Sequence, residues 1–139
     1  MSMKILVVDP DWHFLQQARE YLEGLGNHVV HEPRPDDAAA RARHWRPDVV
    51  MVSAELPEAC EGDLLATLTA LTPRPAVVLT AALENFGHAW RAWQRGGDEL
   101  IIKPVLNASE FHVAIVAAFR NAAVPARDRT IPQPAARSA

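Results

Sequence analysis

The sequence predicts an α/β fold, a parallel sheet with helices packed against it. Three observations carry that reading. Short apolar runs rich in β-branched residues recur along the chain, segments with apolar residues at three- and four-residue spacing separate them, and Gly26, Pro35 and Pro47 punctuate the joints. Five strand and helix pairs fit before residue 121. At 139 residues the chain suits one domain, and a domain of that size buries roughly two-thirds of its unfolded surface and folds without staples.

The strands are expected at Lys4 to Val8, His28 to His31, Val49 to Val52, Ala76 to Leu79 and Glu99 to Ile102. Phe14, Leu15, Ala18, Leu22 and Leu25 line one face of a first helix, which Gly26 stops. Pro35 with Asp36 and Asp37 opens a second helix reaching Trp45, because proline suits a first helical turn and acids suit its positive end. A third helix is expected from Glu61 to Leu71 and a fourth from Glu84 to Arg95. Asn107 followed by Glu110 has the spacing of a capping box and starts a fifth, running to Arg120. The domain thus covers residues 1–121, and 122–139, with Pro125, Pro132 and Pro134 among Ala, Arg and Ser, reads as a tail with no apolar periodicity.

Composition excludes several functions. A net charge of −3 gives no general electrostatic ground for binding nucleic acid or an anionic membrane. Cys60 is the single cysteine, so an intrachain disulfide and a Cys-rich zinc site are ruled out. The amino terminus passes from Met1-Ser2-Met3-Lys4 into Ile5 without the pattern of a signal peptide. No run approaches the ~20 apolar residues that span a bilayer, and a cytoplasmic protein is expected.

In an open parallel sheet, chemistry collects at the carboxyl ends of the strands. Those positions hold Asp9, Ser53, Thr80 and Lys103. Competing sites are weaker. His28 and His31 flank the second strand without a ligand cluster and read as solvated histidines. Val52-Ser53-Ala54 lacks the glycine-flanked elbow of a serine hydrolase. Gly96-Gly97 reads as a helix stop, since no helix follows at once, and Cys60 as a spare thiol.

The constellation resembles the CheY-like receiver domains of bacterial two-component response regulators. The resemblance rests on Ile5-Leu6-Val7-Val8-Asp9, Pro47-Asp48-Val49-Val50-Met51-Val52-Ser53, Val77-Val78-Leu79-Thr80-Ala81, Gly96-Gly97-Asp98 and Ile102-Lys103-Pro104, in the expected order over residues 3–121. It implies a flavodoxin-like, doubly wound, five-stranded parallel sheet of order 2-1-3-4-5 with five helices. It also implies that Asp9 matches the first of two metal-holding acids, and that Thr80 and Lys103 match the hydroxyl and ammonium that sense a phosphoryl group. Pro10 stands where the second acid is expected, Ser53 where the phosphate-accepting aspartate is expected, and Leu100 where an aromatic residue is common.

These departures predict a pseudo-receiver. Mg²⁺ depends on carboxylates, and losing two forfeits several kcal/mol, at about 4 kcal/mol for a unit pair 4 Å apart at an effective dielectric of 20. No cofactor is therefore expected; Asp9 and Asp11 are the weak metal candidates, with Asp11 placed by Pro10 in a first helical turn. Lys103 is expected to pair permanently with Asp9, and with Glu55 at the mouth. Phe86, Trp90 and Trp93 recur at helical spacing, mainly as a core stripe, leaving at least one tryptophan for an interaction face of Trp90, Trp93 and Leu100. The expected function is a non-enzymatic, phosphorylation-independent module that binds a signalling protein, or itself, through helix 4, strand 5 and helix 5. No DNA-binding unit is expected in so short a tail. The alternative is a phosphotransfer-competent regulator in which Ser53 or a displaced acid accepts phosphate and rescued ligands hold Mg²⁺.

Overall fold

The computed structural model describes residues 2–123. Its elements follow the order β1 (Lys4–Val8), α1 (Trp12–Gly24), β2 (His28–His31), α2 (Pro35–Trp45), β3 (Val49–Ser53), α3 (Glu58–Ala70), β4 (Ala76–Ala82), a single 3₁₀ turn (Leu83–Asn85), α4 (Phe86–Gly96), β5 (Glu99–Lys103) and α5 (Ser109–Ala122). The five strands are parallel in the order β2-β1-β3-β4-β5, the expected doubly wound sheet. Residues 124–139 of the expected tail lie outside the described residues, and Ala122 belongs to α5.

Side chains alternate across a strand, and both faces of this sheet are covered, so the strands read as continuous apolar runs. Ile5 and Val7 of β1 meet Phe14, Leu15 and Phe111 in one core cluster, packed by α1 and α5. Leu6 and Val8 join Ala42, Leu65, Leu68, Ala89 and Ala92 in the other, packed by α2, α3 and α4. Small residues on α2 and α4 let those helices sit close to the sheet. Gly97 extends that economy, because a Cβ there would collide with Leu79 Cδ1 and lie 3.1 Å from Trp93 Cα.

Several boundaries differ from expectation for local reasons. Asp11 is not in the first turn of α1 but caps it, accepting from Phe14 N–H at 3.1 Å, which leaves Pro10 outside the helix. α3 begins at Glu58, and β4 continues through Thr80, Ala81 and Ala82, because Thr80 to Ala82 keep pairing with β5. The 3₁₀ turn delays α4 until Phe86. At α5, Glu110 does reach back, accepting from Leu106 and Asn107 N–H at 3.0 and 3.3 Å, whereas Asn107 turns to Ser109 N–H at 3.0 Å.

The lower end of the sheet is tied by a buried charge. Asp98, fully buried ahead of β5, accepts two bonds from Arg74 at 2.8 and 3.0 Å and one from Val77 N–H at 2.8 Å. Asn121 Nδ2 donates to its carbonyl at 2.8 Å, joining α5 to the same knot. No helix among the described residues is long and apolar enough to cross a membrane.

Candidate functional site

Adjacent strand ends bring Asp9, Ser53, Thr80 and Lys103 together at the top of the sheet, with Ser53 registered against Thr80. Asp9 is the hub. Its side chain is fully buried, and Oδ2 accepts from Thr80 Oγ1 at 2.7 Å. Its Oδ1 accepts from Asp11 N–H at 2.9 Å and from Lys103 Nζ at 3.1 Å, and the same ammonium lies 2.9 Å from Oδ2. The expected Asp9 and Lys103 pair is present.

It is not an isolated pair. Lys103 Nζ also lies 3.2 Å from Asp11 Oδ2 and 3.8 Å from Glu55 Oε1, and 5.0 Å from the centre of the Phe14 ring. One ammonium thus serves three carboxylates, Asp11 joining the Asp9 and Glu55 that the sequence suggested. Asn85 Nδ2 adds a 2.6 Å bond to Glu55 Oε2, fixing that acid at the mouth. Burial raises the Asp11 pKa, but the Phe14 N–H, the charge and hydrogen bond of Lys103 and the His13 N–H outweigh it, so the carboxyl lies below its ordinary value of 3.8.

Ser53 is fully buried at the end of β3, and its Oγ accepts from Glu55 N–H at 3.1 Å. Pro10 is exposed and offers neither an acid nor an N–H. The donor set fits Mg²⁺ poorly as arranged: both Asp9 oxygens are bonded and the Lys103 ammonium already sits against the three carboxylates.

The histidine expectation needs correction. His31 is only half exposed; its Nε2 lies 3.0 Å from the Asp9 carbonyl and its ring meets Trp12 edge-on at 5.9 Å. An imidazole nitrogen facing a carbonyl must carry the proton, so His31 braces the backbone of the hub residue. His28 is exposed, as expected.

The proposed interaction face also changes. Leu100 is 5% exposed and packs in the α2, α3 and α4 core, because alternation along β5 turns it inward, so it leaves that face. Trp90 and Trp93 are half-buried, stacked at 5.3 Å with a 12° interplanar angle, and Trp93 rests on the core. The Trp93 Nε1 is buried without a hydrogen-bond partner. The fifth helix was expected in this face but none of its residues was singled out; α5 exposes Val113, Val116 and Phe119, and their three-residue spacing was the available signal.

No family model matches the chain. It is 31% identical over 140 residues to a protein-glutamate methylesterase/protein-glutamine glutaminase 2 of Rhodospirillum rubrum, an alignment that takes in 94% of this chain but only 38% of that protein. A response regulator receiver domain protein from Clostridium thermocellum superposes with a TM-score of 0.71 at 28% identity, covering 85% of this chain and 94% of the other. A two-component response regulator from Clostridium difficile superposes at 0.70 with 19% identity, over 88% and 99% of the two chains. With the strand order 2-1-3-4-5 and the Asp9, Thr80 and Lys103 cluster in place, the chain has the fold of the CheY-like response-regulator receiver domains.

Proposed function

We propose that this receiver domain works without phosphorylation, as a cytoplasmic, non-enzymatic protein-interaction module in bacterial signal transduction. One observation carries the reading: a buried serine hydroxyl, not a carboxylate, stands at the acceptor position. A phosphoryl group on Ser53 would bring nearly two negative charges into a pocket that already holds three carboxylates against one ammonium. Each new unit repulsion at 4 Å costs about 4 kcal/mol at an effective dielectric of 20. Mg²⁺ is dispensable on this reading, because Lys103 supplies the positive charge.

The partner is a signalling protein or a second copy of the chain, docking on α4, β5 and α5. The half-buried Trp90 and Trp93 and the exposed Val113, Val116 and Phe119 support that location, since aromatic anchors ringed by apolar neighbours dominate interfaces.

A second reading, phosphotransfer through a displaced acid, draws on Asp11 and Glu55 converging with Asp9 on Lys103. Backbone NMR with Mg²⁺ and beryllofluoride separates the two. The interaction-module reading expects no saturable shifts at Asp9, Ser53, Thr80 and Lys103 below millimolar Mg²⁺. Clustered, saturating shifts there would replace it with the second.

A further inference from the structure

At the end of the sheet opposite Asp9 and Lys103, a pocket of about 340 Å³ opens between the close of α2, the loop before β4 and α5. Its volume lies in the range of ligand-sized clefts. One wall is cationic: Arg43 and Arg46, both exposed, form no side-chain hydrogen bond or ion pair among the described residues. Arg74, deeper in, is neutralised by Asp98, and Asp48 on the rim accepts from Lys4 N–H at 2.8 Å. Two unpaired guanidinium groups against one Asp48 carboxylate leave a local excess of one positive charge in a chain whose net charge is −3.

The other wall is apolar. Leu71 and the 42% exposed Phe119 line the same pocket, with Pro47, Pro73 and Pro75. Proline has no N–H, so those three positions give no backbone donors of the kind that cradle phosphate. Anion recognition here falls to the guanidinium forks, which match a carboxylate bidentately, while the adjoining wall takes an apolar side chain.

The backbone of Arg46 points the same way. It closes α2 at φ 52°, in the left-handed region where glycine is favoured. An arginine there is held at a conformational cost, and its side chain has no partner among the described residues.

We propose that this pocket docks an acidic peptide segment of a partner protein, with an Asp or Glu side chain on Arg43 and Arg46 and a neighbouring Leu or Phe against Leu71 and Phe119. The site lies at the opposite end of the sheet from the receiver pocket and does not depend on that pocket's chemical state.

The test uses the full 139-residue chain, labelled with ¹⁵N and titrated with four short peptides that combine Asp or Glu with an adjacent Leu or Phe. Saturable shifts are expected at the amides of Arg46, Asp48, Thr72 and Phe119. Peptides with Lys in place of the acids, and inorganic phosphate, are expected to leave them unmoved. Arg46→Gly is expected to keep the fold, raise the thermal midpoint by relieving the left-handed backbone, and weaken peptide binding at least tenfold. Arg43→Ala is expected to weaken it without changing the midpoint. Absence of shifts with every peptide, equal shifts with phosphate, shifts confined to the Asp9 end, or undiminished binding by both variants would each overturn the proposal.

Discussion

Lys103→Met tests whether the pocket is held by fixed charge. The ammonium side chain is 10% exposed and Asp9 is fully buried, so the substitution strands a carboxylate that keeps only two donors, Thr80 Oγ1 and Asp11 N–H. Breaking a buried pair by removing one partner costs about 3–5 kcal/mol. The two surviving bonds, and the solvent reaching Asp11 and Glu55 at 40% and 34% exposure, place this case at the lower end, about 3 kcal/mol. Mutual repulsion of three carboxylates with no cation between them adds to the loss.

Asp9→Asn in the same chain removes the stranded charge and is expected to restore about half of the deficit, which sets the coupling between the two sites at no less than about 1.5 kcal/mol, the cost of Asp9→Asn alone adding to it. The assay is urea unfolding of the wild type, both single variants and the double variant, read as midpoint shifts at constant slope. Neutral single substitutions, or additive effects in the double, would refute the reasoning, because they would mean that Lys103 and Asp9 do not depend on one another.

Asp98→Asn should cost about 3 kcal/mol by the same melts, since it breaks the bidentate bond to Arg74 deep in the fold. Asp11→Ala should lose about 1 kcal/mol near neutral pH through its helix cap; because the folded carboxyl lies below 3.8, its contribution is present above about pH 4 and fades as the pH falls through the folded value, so wild type and variant should converge in acid. Trp90→Ala should weaken partner capture or self-association by at least about 1 kcal/mol in sedimentation or binding assays while Ser53→Ala leaves it unchanged.

The fold was legible because β1, β3 and β4 are nearly continuous apolar runs, and a strand covered on both faces has no other stable place. The cluster of Asp9, Thr80 and Lys103 was legible for a topological reason: parallel strand ends converge, so residues 94 apart in sequence become hydrogen-bonded neighbours. The Arg74 and Asp98 knot was not. Both residues sit in loops with the look of solvated charge, and only the sheet register brings them within 2.8 Å. Asp11 was misplaced by one structural step, since Asp after Pro fits either a first turn or a cap, and only the Phe14 N–H decides. Leu100 shows the limit of reading a face from an edge strand, because the pleat turns it toward Ala89 and Ala92.

The contacts around Asp9 bear on what kind of device this pocket is. A ligand shifts a conformational equilibrium only by its differential affinity for the two states. In a phosphoryl sensor the hydroxyl and the ammonium gain that differential by turning to the incoming group. Here Thr80 and Lys103 already spend their donors on a permanent carboxylate, at 2.7 and 2.9 Å. An anion entering the pocket must first displace Asp9 from both, and then sit beside it with Asp11 and Glu55 at the mouth. The displacement and the repulsion act in the same direction, against anion entry. On the proposed reading, the cluster therefore serves as a strut that fixes the β1, β4 and β5 ends, and variation in signalling output has to arise where side chains are unspent: the tryptophan pair on α4, the apolar ridge of α5, and the two free guanidinium groups at the far end of the sheet.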